Sequence, residues 1–374
     1  MKADALGLYL HIPFCLKKCS YCDFCSHAGA TREEMREYTD ALIGEANSYK
    51  RDERIAVDTV FFGGGTPTIL PQDDFLRIMS ALRECFDISD TAEITVEANP
   101  KTLTSEKLRV YRECGVNRIS IGLQSIHGRE QRALGRVHNY EDFLESFRLA
   151  RDGGIDNINV DIMYAIPEQT EKSLSETLDR VIALSPEHIS AYSLIIEEGT
   201  PFYERRDALP LPDEDAECEM YTLITRRLRD AGYTHYEISN YAKAERECRH
   251  NLIYWTMHDY IGLGLNAHSY FEGARYFNTD CMEKYLSPRR DAFRTVHPVD
   301  FDEREYEYCM LALRLGEGID LSEYREAFRK DFREGREATI SRLEGIGLVK
   351  DDGGRIFLTE KGFYVSNSII TELI

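Results

Sequence analysis

Six short apolar runs, rich in β-branched and aromatic residues, alternate along the chain with segments of helical periodicity. The runs are GLYLHIP (7–13), TVFFGGG (59–65), EITVEANP (93–100), RISIGLQS (118–125), INVDIMYAI (158–166) and HISAYSLII (188–196). Strands that alternate with helices form a parallel sheet, because each helix carries the chain back to the same edge. Six such units predict an open, partial (β/α)6 TIM-like barrel, and an open doubly wound sheet is the main alternative. In either architecture a functional site lies at the carboxyl ends of the strands.

The segments between these runs carry the signals with which helices begin and end. Thr31 and Glu34 have the spacing of a capping box, in which each side chain pairs with the backbone of the other. Thr104 and Asn139 are candidate amino-terminal caps, and Gly153 is a candidate stop. Helices are therefore expected between the strands, as a parallel sheet requires.

Beyond residue 200 the alternation ends. A helix is predicted over about 213–231 and a short strand over 233–238, followed by CRHNLIYWTMHDYIGLGLNAHSY, which is dense in aromatic residues, glycine and histidine. After Pro298 the order is helix, helix, hairpin and helix, with the hairpin turning at Asp352-Gly353-Gly354. This order is typical of a winged helix. We therefore expect a core over 1–230, a barrel extension over 231–297 and a small α+β winged-helix-like domain over 298–374.

Charge and cysteine usage limit the partners and the compartment. The chain has 46 basic and 66 acidic residues, a formal net charge of −20, which argues against a nucleic-acid partner. There is no apolar run of the about 18 residues that a membrane span needs, and the start shows no signal-peptide pattern. We expect a cytoplasmic protein, or one that reaches the membrane surface through a partner. Six cysteines lie far apart and are interpreted as small buried hydrophobes: Cys85, Cys114, Cys218, Cys248, Cys281 and Cys309.

Four other cysteines gather in one stretch, HIPFCLKKCSYCDFC, directly after the first predicted strand. Cys15, Cys19 and Cys22 form a C-x3-C-x2-C pattern. Three thiolates can hold a 4Fe–4S cluster and leave one iron open to another ligand. The alternatives are a structural zinc site, which would need a second pair of closely spaced ligands, and a disulfide knot, which is disfavoured in a cytoplasmic chain of this size.

Polar and glycine residues stand where the predicted strands end. FFGGGTP (61–67) follows the second run, and its glycines would let the backbone approach a ligand closely. Glu97, Gln124 and Asp161 stand near the ends of the third, fourth and fifth runs, where side chains can bind ribose hydroxyls or a carboxylate. Arg136 could neutralise a carboxylate. Taken singly, each of these four residues is almost as well explained as a solvated surface residue.

The motif C-x3-C-x-Tyr-C after a first strand resembles that of the radical S-adenosylmethionine (SAM) enzymes. The resemblance implies that the open iron of the cluster chelates the amino and carboxylate groups of SAM, and that Tyr21 lies near its adenine. It also implies that FFGGGTP corresponds to the superfamily's GGE-type segment, which holds the methionine amino group. The SAM-binding residues implied in this way are Tyr9, Tyr21, Gly64, Gly65, Thr66, Glu97, Gln124, Arg136 and Asp161.

Within this superfamily the chain is similar to the oxygen-independent coproporphyrinogen III oxidase group, and within it to the heme chaperones called HemW. The similarity covers nearly the whole chain and is carried by YLHIPFCLKKCSYCDF, FFGGGTPTIL, VEANP, GVNRISIGLQS, LGRVH, NVDIMYAIPEQT, YEISNYA and HNLIYWTMHDYIGLGLNAHSY. HNLIYW fits the HNxxYW signature that the chaperone group links to heme, which implies heme contact by His250, Tyr254 and Trp255. His258 and His268 are rival iron ligands. From the residues alone, a buried aromatic cluster explains HNLIYW better.

Two features favour the chaperones over the oxidases. One is HNLIYW, and the other is the early position of the cysteine motif, since the oxidases carry an N-terminal arm ahead of it that is not expected here. Cys25 follows Cys22 as C-x2-C, whereas the oxidases have C-x-C, so we do not expect Cys25 to ligate the cluster.

The expected function is that of a heme chaperone that carries a 4Fe–4S cluster and SAM and transfers heme to an acceptor hemoprotein, such as a respiratory one. The alternative is the oxidase itself, an enzyme that removes propionate carboxyl groups from coproporphyrinogen III with a SAM-derived radical. Such a protein would take electrons from a flavodoxin or ferredoxin, bind no nucleic acid, and exist as a monomer or a cluster-linked dimer.

Overall fold

A single large sheet forms the centre of the molecule. The computed structural model describes residues 6–287 and 294–374. Within them the large sheet contains β1 (Gly7–Ile12), β4 (Ile55–Gly64), β5 (Phe86–Ala98), β6 (Arg118–Gln124), β7 (Asn157–Tyr164), β8 (His188–Ser193), β9 (Thr234–Glu237), β10 (Asn240–Ala242), β11 (Tyr260–Leu263), β12 (His268–Phe271), β13 (Ala274–Asn278) and β14 (Arg294–Pro298). Two small sheets contain β2 (Phe14–Cys15) with β3 (His27–Ala28), and β15 (Ile319–Asp320) with β16 (Val349–Asp351) and β17 (Arg355–Leu358).

The six predicted runs form six neighbouring parallel strands. Their order is β1-β4-β5-β6-β7-β8, so each strand lies beside the one formed before it. Because every crossover runs in the same direction, and crossovers are right-handed, the helices between these strands cover one face, and the other face curves inward. The partial (β/α)6 barrel is therefore confirmed. The doubly wound alternative is wrong, because its strand order would reverse.

The helices begin and end largely where the sequence indicates. They are α1 (Arg32–Asn47), α2 (Gln72–Cys85), α3 (Ser105–Glu113), α4 (Gly128–Ala133), α5 (Tyr140–Asp152), α6 (Glu171–Leu184), α7 (Pro201–Glu204), α8 (Glu214–Asp230), α9 (Arg249–Trp255), α10 (Met282–Leu286), α11 (Phe301–Ala312), α12 (Leu321–Phe328), α13 (Glu337–Gly345), α14 (Glu360–Tyr364) and α15 (Ser366–Leu373). Thr31 and Glu34 form the predicted capping box. Thr104 and Asn139 cap α3 and α5, and α5 ends at Gly153.

The segment 231–297 continues the large sheet at both of its edges. Beside β1, β11 is parallel, and β12 to β14 follow it in antiparallel pairs. At the other edge, β10 and β9 pair antiparallel beyond β8. The barrel therefore does not close, and a lateral opening remains between its two edges. After it, α12, α13 and the hairpin β16–β17 form the expected winged helix.

Burial agrees with most of the composition-based expectations. Four of the six isolated cysteines are buried, namely Cys85, Cys114, Cys248 and Cys309, whereas Cys218 and Cys281 are partly exposed. Among the described helices, none has both the length and the apolar character that crossing a membrane requires.

Candidate functional site

The carboxyl ends of the parallel strands surround a cavity of about 290 Å³, which we call the mouth cavity. Three of its lining residues are the predicted cluster ligands, Cys15, Cys19 and Cys22. Eight of the nine predicted SAM residues also line it: Tyr21, Gly64, Gly65, Thr66, Glu97, Gln124, Arg136 and Asp161. The ninth, Tyr9, lies deeper on β1 and lines two other cavities. Tyr192 on β8 also lines the cavity, so residues from seven separate stretches of sequence meet at one site.

The three cysteines all line this cavity. Among the described residues, no three His, Cys, Asp or Glu side chains form a group that could hold a single metal ion. The thiols instead share the wall of a larger space, as the ligands of a cluster must. Burial raises the pKa of Cys19, and raises that of Cys22 to about 11, so both are neutral until a metal displaces their protons. The donor set therefore fits a 4Fe–4S cluster.

The glycine segment after β4 packs directly against the cysteine loop. Gly65 has no room for a side chain, because an added Cβ would lie 2.6 Å from the carbonyl oxygen of Phe14 and 3.0 Å from Sγ of Cys15. Gly64 has φ +111°, a conformation that glycine adopts without strain, and its N–H donates to Glu97 Oε2 at 3.1 Å. Glycine at these positions allows the strand end, the carboxyl group and the first cysteine to meet.

Two buried carboxyl groups face the mouth cavity from neighbouring strands. Burial raises the pKa of Glu97 to about 8, with a further contribution from Asp161. Burial also raises the pKa of Asp161, although Asn159 and Ser120 donate hydrogen bonds to its carboxylate. Near neutral pH, Glu97 is therefore mainly protonated and can donate a hydrogen bond, for example to a ribose hydroxyl.

Arg136 is fixed at the mouth by a short chain of hydrogen bonds. Its Nη2 donates to the carbonyl of Gly122 at 2.6 Å and to Oδ1 of Asn99 at 3.0 Å, and Nδ2 of Asn99 donates to Oγ1 of Thr66 at 2.7 Å. Sequence reasoning missed Asn99, although its place two residues after Glu97 in VEANP was a usable signal. Gln124 ends β6 with φ +68°, and such strain at a strand end is typical of functional sites.

HNLIYW forms α9, which plugs the amino end of the barrel, opposite the mouth cavity. The backbone N–H groups of Arg249 and His250 donate to the carboxylate of Glu93 on β5. His250 is only 1% exposed, and its ring stacks on Phe61 with centroids 5.1 Å apart. Its Nδ1 is hydrogen-bonded to Thr59 and its Nε2 to Tyr254, both at 2.7 Å. Both nitrogens that could bind iron are therefore occupied.

Burial keeps the His250 ring neutral. It lowers the pKa of His250 to about 3, and the Arg118 charge adds to this effect. A neutral ring with two partners is well suited to holding Thr59 and Tyr254 in place.

Tyr254 borders two further spaces. One is a polar cavity of about 170 Å³ inside the barrel, and the other is a more open cleft of about 410 Å³ beside β1 and β11, which we call the lateral cleft. The lateral cleft is lined by Tyr9, His11, Asp23, Phe24, Cys25, Tyr254, Tyr260, Asn266 and His268.

The other predicted heme contacts are divided between these spaces. His268 is exposed on the wall of the lateral cleft, whereas Trp255 and His258 line neither space. Nε1 of Trp255 is buried without a hydrogen-bond partner among the described residues. Cys25 lies in the lateral cleft and does not line the mouth cavity.

Comparisons with known proteins agree with this geometry. Residues 9–181 match the radical SAM superfamily, and residues 299–365 match the HemN C-terminal domain. The heme chaperone HemW of Bacillus subtilis (strain 168) is 34% identical over 368 residues, covering 96% of this chain and 97% of that protein. HemW of Escherichia coli (strain K12) is 36% identical over 326 residues, covering 84% and 86%. Among solved structures, the radical SAM enzyme coproporphyrinogen III oxidase (HemN) from Escherichia coli superposes with a TM-score of 0.85 at 25% identity, covering 99% of this chain and 90% of that one.

Proposed function

Because this chain belongs to the family of the heme chaperone HemW, we propose that it binds heme beside a SAM-coordinating 4Fe–4S cluster and transfers the heme to an acceptor hemoprotein. One observation carries the proposal. The cavity that holds the cysteines and the SAM-type residues adjoins an aromatic cleft, and Phe24 lines both spaces. Tyr254 of HNLIYW forms part of the wall of that cleft. A cofactor site and a cleft with four aromatic residues in its wall are thus neighbours.

In this proposal the mouth cavity holds the cluster and SAM. Cys15, Cys19 and Cys22 would hold the cluster and leave one iron open to SAM. The backbone of Gly64 and Gly65, with Thr66, would bind the methionine amino group. When bound, the cluster supplies an electron to SAM.

The remaining mouth residues position SAM. Tyr21 packs near the adenine, and Glu97, Gln124 and Asp161 bind the ribose hydroxyls or a carboxylate, which Arg136 neutralises. Tyr9 would contribute from the interior of the barrel, because it lines the polar cavity and the lateral cleft.

Heme would lie in the lateral cleft, with its flat faces against the tyrosine rings. Tyr254 and Tyr260 pack edge to face with ring centroids 4.6 Å apart, and both line the cleft. His250 could reach the iron only by giving up its bond to Tyr254. His268 is exposed on the cleft wall and needs no such rearrangement, so it is the better candidate for the iron ligand. Trp255 would contact heme only after α9 moves.

The mouth cavity has positive charge at its rim. Lys17 and Lys18 line the mouth cavity beside the cysteines, and such a cationic rim suits an acidic electron donor of the flavodoxin or ferredoxin type.

We propose a core over 1–230, an extension over 231–297 that forms a wall of the heme cleft, and a C-terminal domain over 298–374 that docks partners. The acceptor would be a respiratory hemoprotein, reached in the cytoplasm or at the membrane surface, and the chaperone would be a monomer or a cluster-linked dimer.

The test uses protein purified anaerobically with its cluster reconstituted. Heme is titrated while absorbance is recorded, and an apo-hemoprotein is then added. A Soret band that moves to the acceptor, without conversion of coproporphyrinogen III in the presence of SAM and a strong reductant, supports the chaperone. Absence of any heme binding by the wild-type protein would refute it. A Cys19→Ser variant, which should lack the cluster, separates heme binding from cluster loading.

A second candidate function is the oxidase reaction. The structural similarity to HemN and the meeting of Glu97, Gln124, Arg136 and Asp161 at one mouth cavity favour it. Formation of protoporphyrinogen together with 5′-deoxyadenosine in the same experiment would establish this function instead.

A further inference from the structure

A buried arginine side chain lines the polar cavity inside the barrel. Arg118 is the first residue of β6 and is 2% exposed, and it lines the cavity of about 170 Å³. Its Nε has no hydrogen-bond partner among the described residues. A buried charged donor without an acceptor costs more than the about 1–3 kcal/mol of a neutral one. The folded chain therefore presents to this cavity a guanidinium group with one donor that has no acceptor among the described residues.

The neighbouring polar groups are occupied with one another. Asn159 donates to Ser120 and Asp161, and its Oδ1 is hydrogen-bonded to His188 at 2.6 Å. The carboxylate of Glu93 accepts from the backbone of α9 and from the thiol of Cys248. These groups have little capacity left for Arg118.

The charges around Arg118 allow an anion to enter near neutral pH. Burial lowers the pKa of Arg118, but the neighbouring groups, including Glu93, raise this pKa by more than burial lowers it. The guanidinium therefore stays charged. Glu97, which lines the same cavity, is mainly protonated below its pKa of about 8. Asp161 is the other acid in the lining, and its carboxylate accepts hydrogen bonds from Asn159 and Ser120.

Size and position indicate which part of a ligand could enter. Pockets for whole drug-sized molecules measure about 300–1,000 Å³, so this cavity suits a small group or one arm of a larger ligand. It shares Tyr9 and Tyr254 with the lateral cleft, where the proposed function places heme. On its other side the polar cavity shares Glu97, Asp161 and Tyr192 with the mouth cavity. Arg118 lines the polar cavity but not the mouth cavity, and the three cysteines line the mouth cavity but not the polar cavity.

We propose that Arg118 and the polar cavity form a carboxylate-binding site, which receives a propionate arm of heme lying in the lateral cleft. A guanidinium group binds a carboxylate through two parallel hydrogen bonds, which fixes orientation as well as position. The site gives HNLIYW a role other than iron ligation, because His250, Asn251 and Tyr254 form one wall of the cavity. The identity of the arm rests on the proposed function, whereas the carboxylate site itself does not, since a free carboxylate has the same chemistry.

The experiment compares heme with heme dimethyl ester, in which both propionates are esterified, on the reconstituted protein. Wild type should bind heme about tenfold more tightly than the ester, a difference of about 1.4 kcal/mol. Arg118→Gln should weaken heme binding by about tenfold and change binding of the ester less than about twofold. Arg226→Gln, at an exposed arginine on α8, is the matched control and should bind both ligands as wild type does.

A second arm tests the free carboxylate. Acetate should raise the unfolding temperature of the wild type but not of Arg118→Gln if a free carboxylate occupies the site. Discrimination of heme from the ester identifies the propionate as the source, and the acetate response without that discrimination identifies a free carboxylate. Equal losses for heme and ester in Arg118→Gln, with no acetate effect, would overturn the carboxylate site.

Two further comparisons test the site even if Arg118→Gln does not fold. If Arg118→Gln does not fold, Arg118→Lys replaces it, because lysine keeps the charge but loses the planar fork. The comparison of heme with its ester on wild type needs no variant at all. Failure of wild type to bind either tetrapyrrole would refute the proposed function, and the acetate arm would still decide the role of Arg118.

Discussion

Replacing Gly65 with alanine would test whether the glycine segment and the cysteine loop form one cofactor site. The added Cβ would lie 2.6 Å from the Phe14 carbonyl oxygen and 3.0 Å from Sγ of Cys15. These distances are about 0.8 Å and 0.4 Å below the 3.4 Å at which ordinary contact begins. The Phe14 oxygen belongs to the backbone and cannot rotate away, so the loop that carries Cys15 has to shift.

The size of the effect follows from this overlap. Overpacking of this kind costs about 1–3 kcal/mol, and metal sites tolerate ligand displacements of about 0.2 Å. A shift of Cys15 by several tenths of an ångström should therefore affect the cluster more than it affects the fold. If 1–2 kcal/mol of the cost falls on the cluster-bound state, the affinity for the cluster decreases by a factor of about 5–30.

The assay is iron and sulfide per chain after anaerobic reconstitution, with thermal unfolding of the apo protein measured in parallel. Gly65→Ala should remain folded and take up much less iron than wild type. Gly345→Ala is the matched control, because no heavy atom lies within 4 Å of its added Cβ. Full iron loading and normal SAM binding by Gly65→Ala would contradict the proposed placement of the cluster next to the glycine segment.

Three further predictions concern single side chains. Cys25→Ser should keep wild-type iron content whereas Cys19→Ser loses it, and equal losses would make Cys25 a ligand. Burial and Asp161 raise the pKa of Glu97 from its ordinary 4.5 to about 8, so the folded chain retains a proton that the unfolded chain releases. Stability should therefore fall between about pH 4.5 and 8, and urea unfolding at pH 5 and 8 should show a smaller decline for Glu97→Gln. His250→Phe should lower the free energy of unfolding by about 1–3 kcal/mol through its lost bonds but keep the Soret band, whereas His268→Ala should change that band.

The strands and helix starts could be predicted because their signals are local. The Thr31–Glu34 capping box spans three residues, and each strand is a continuous run of apolar residues. The residues of the mouth cavity could be grouped because parallel strands place their carboxyl ends at one edge. The cysteine spacing added the identity of the cofactor, which the fold alone does not specify.

Contacts between distant segments could not be predicted in the same way. The bond between Thr59 and His250 joins residues 191 positions apart, and it depends on how α9 enters the barrel. No pattern within HNLIYW distinguishes a histidine with two buried partners from one that is free to bind iron. Arg118 stands in a run that predicts a strand, and only the finished barrel reveals that its side chain faces a cavity.

The position of the tetrapyrrole would decide whether this barrel acts as an enzyme or as a chaperone. A radical formed from SAM in the mouth cavity can react only with a carbon atom in direct contact with it. A porphyrin in the lateral cleft would have Phe24 and Tyr9 at its boundary with the rest of the barrel, and its propionate would point to Arg118, near the amino ends of the strands. In that position the propionate would lie in the polar cavity, which shares Glu97, Asp161 and Tyr192 with the mouth cavity, whereas the three cysteines line only the mouth cavity of these two. A propionate that is to be decarboxylated would have to lie in the mouth cavity instead. A propionate arm held at Arg118 would lie outside the cavity that the cysteines line, so binding of a tetrapyrrole by this arm favours the chaperone over the oxidase.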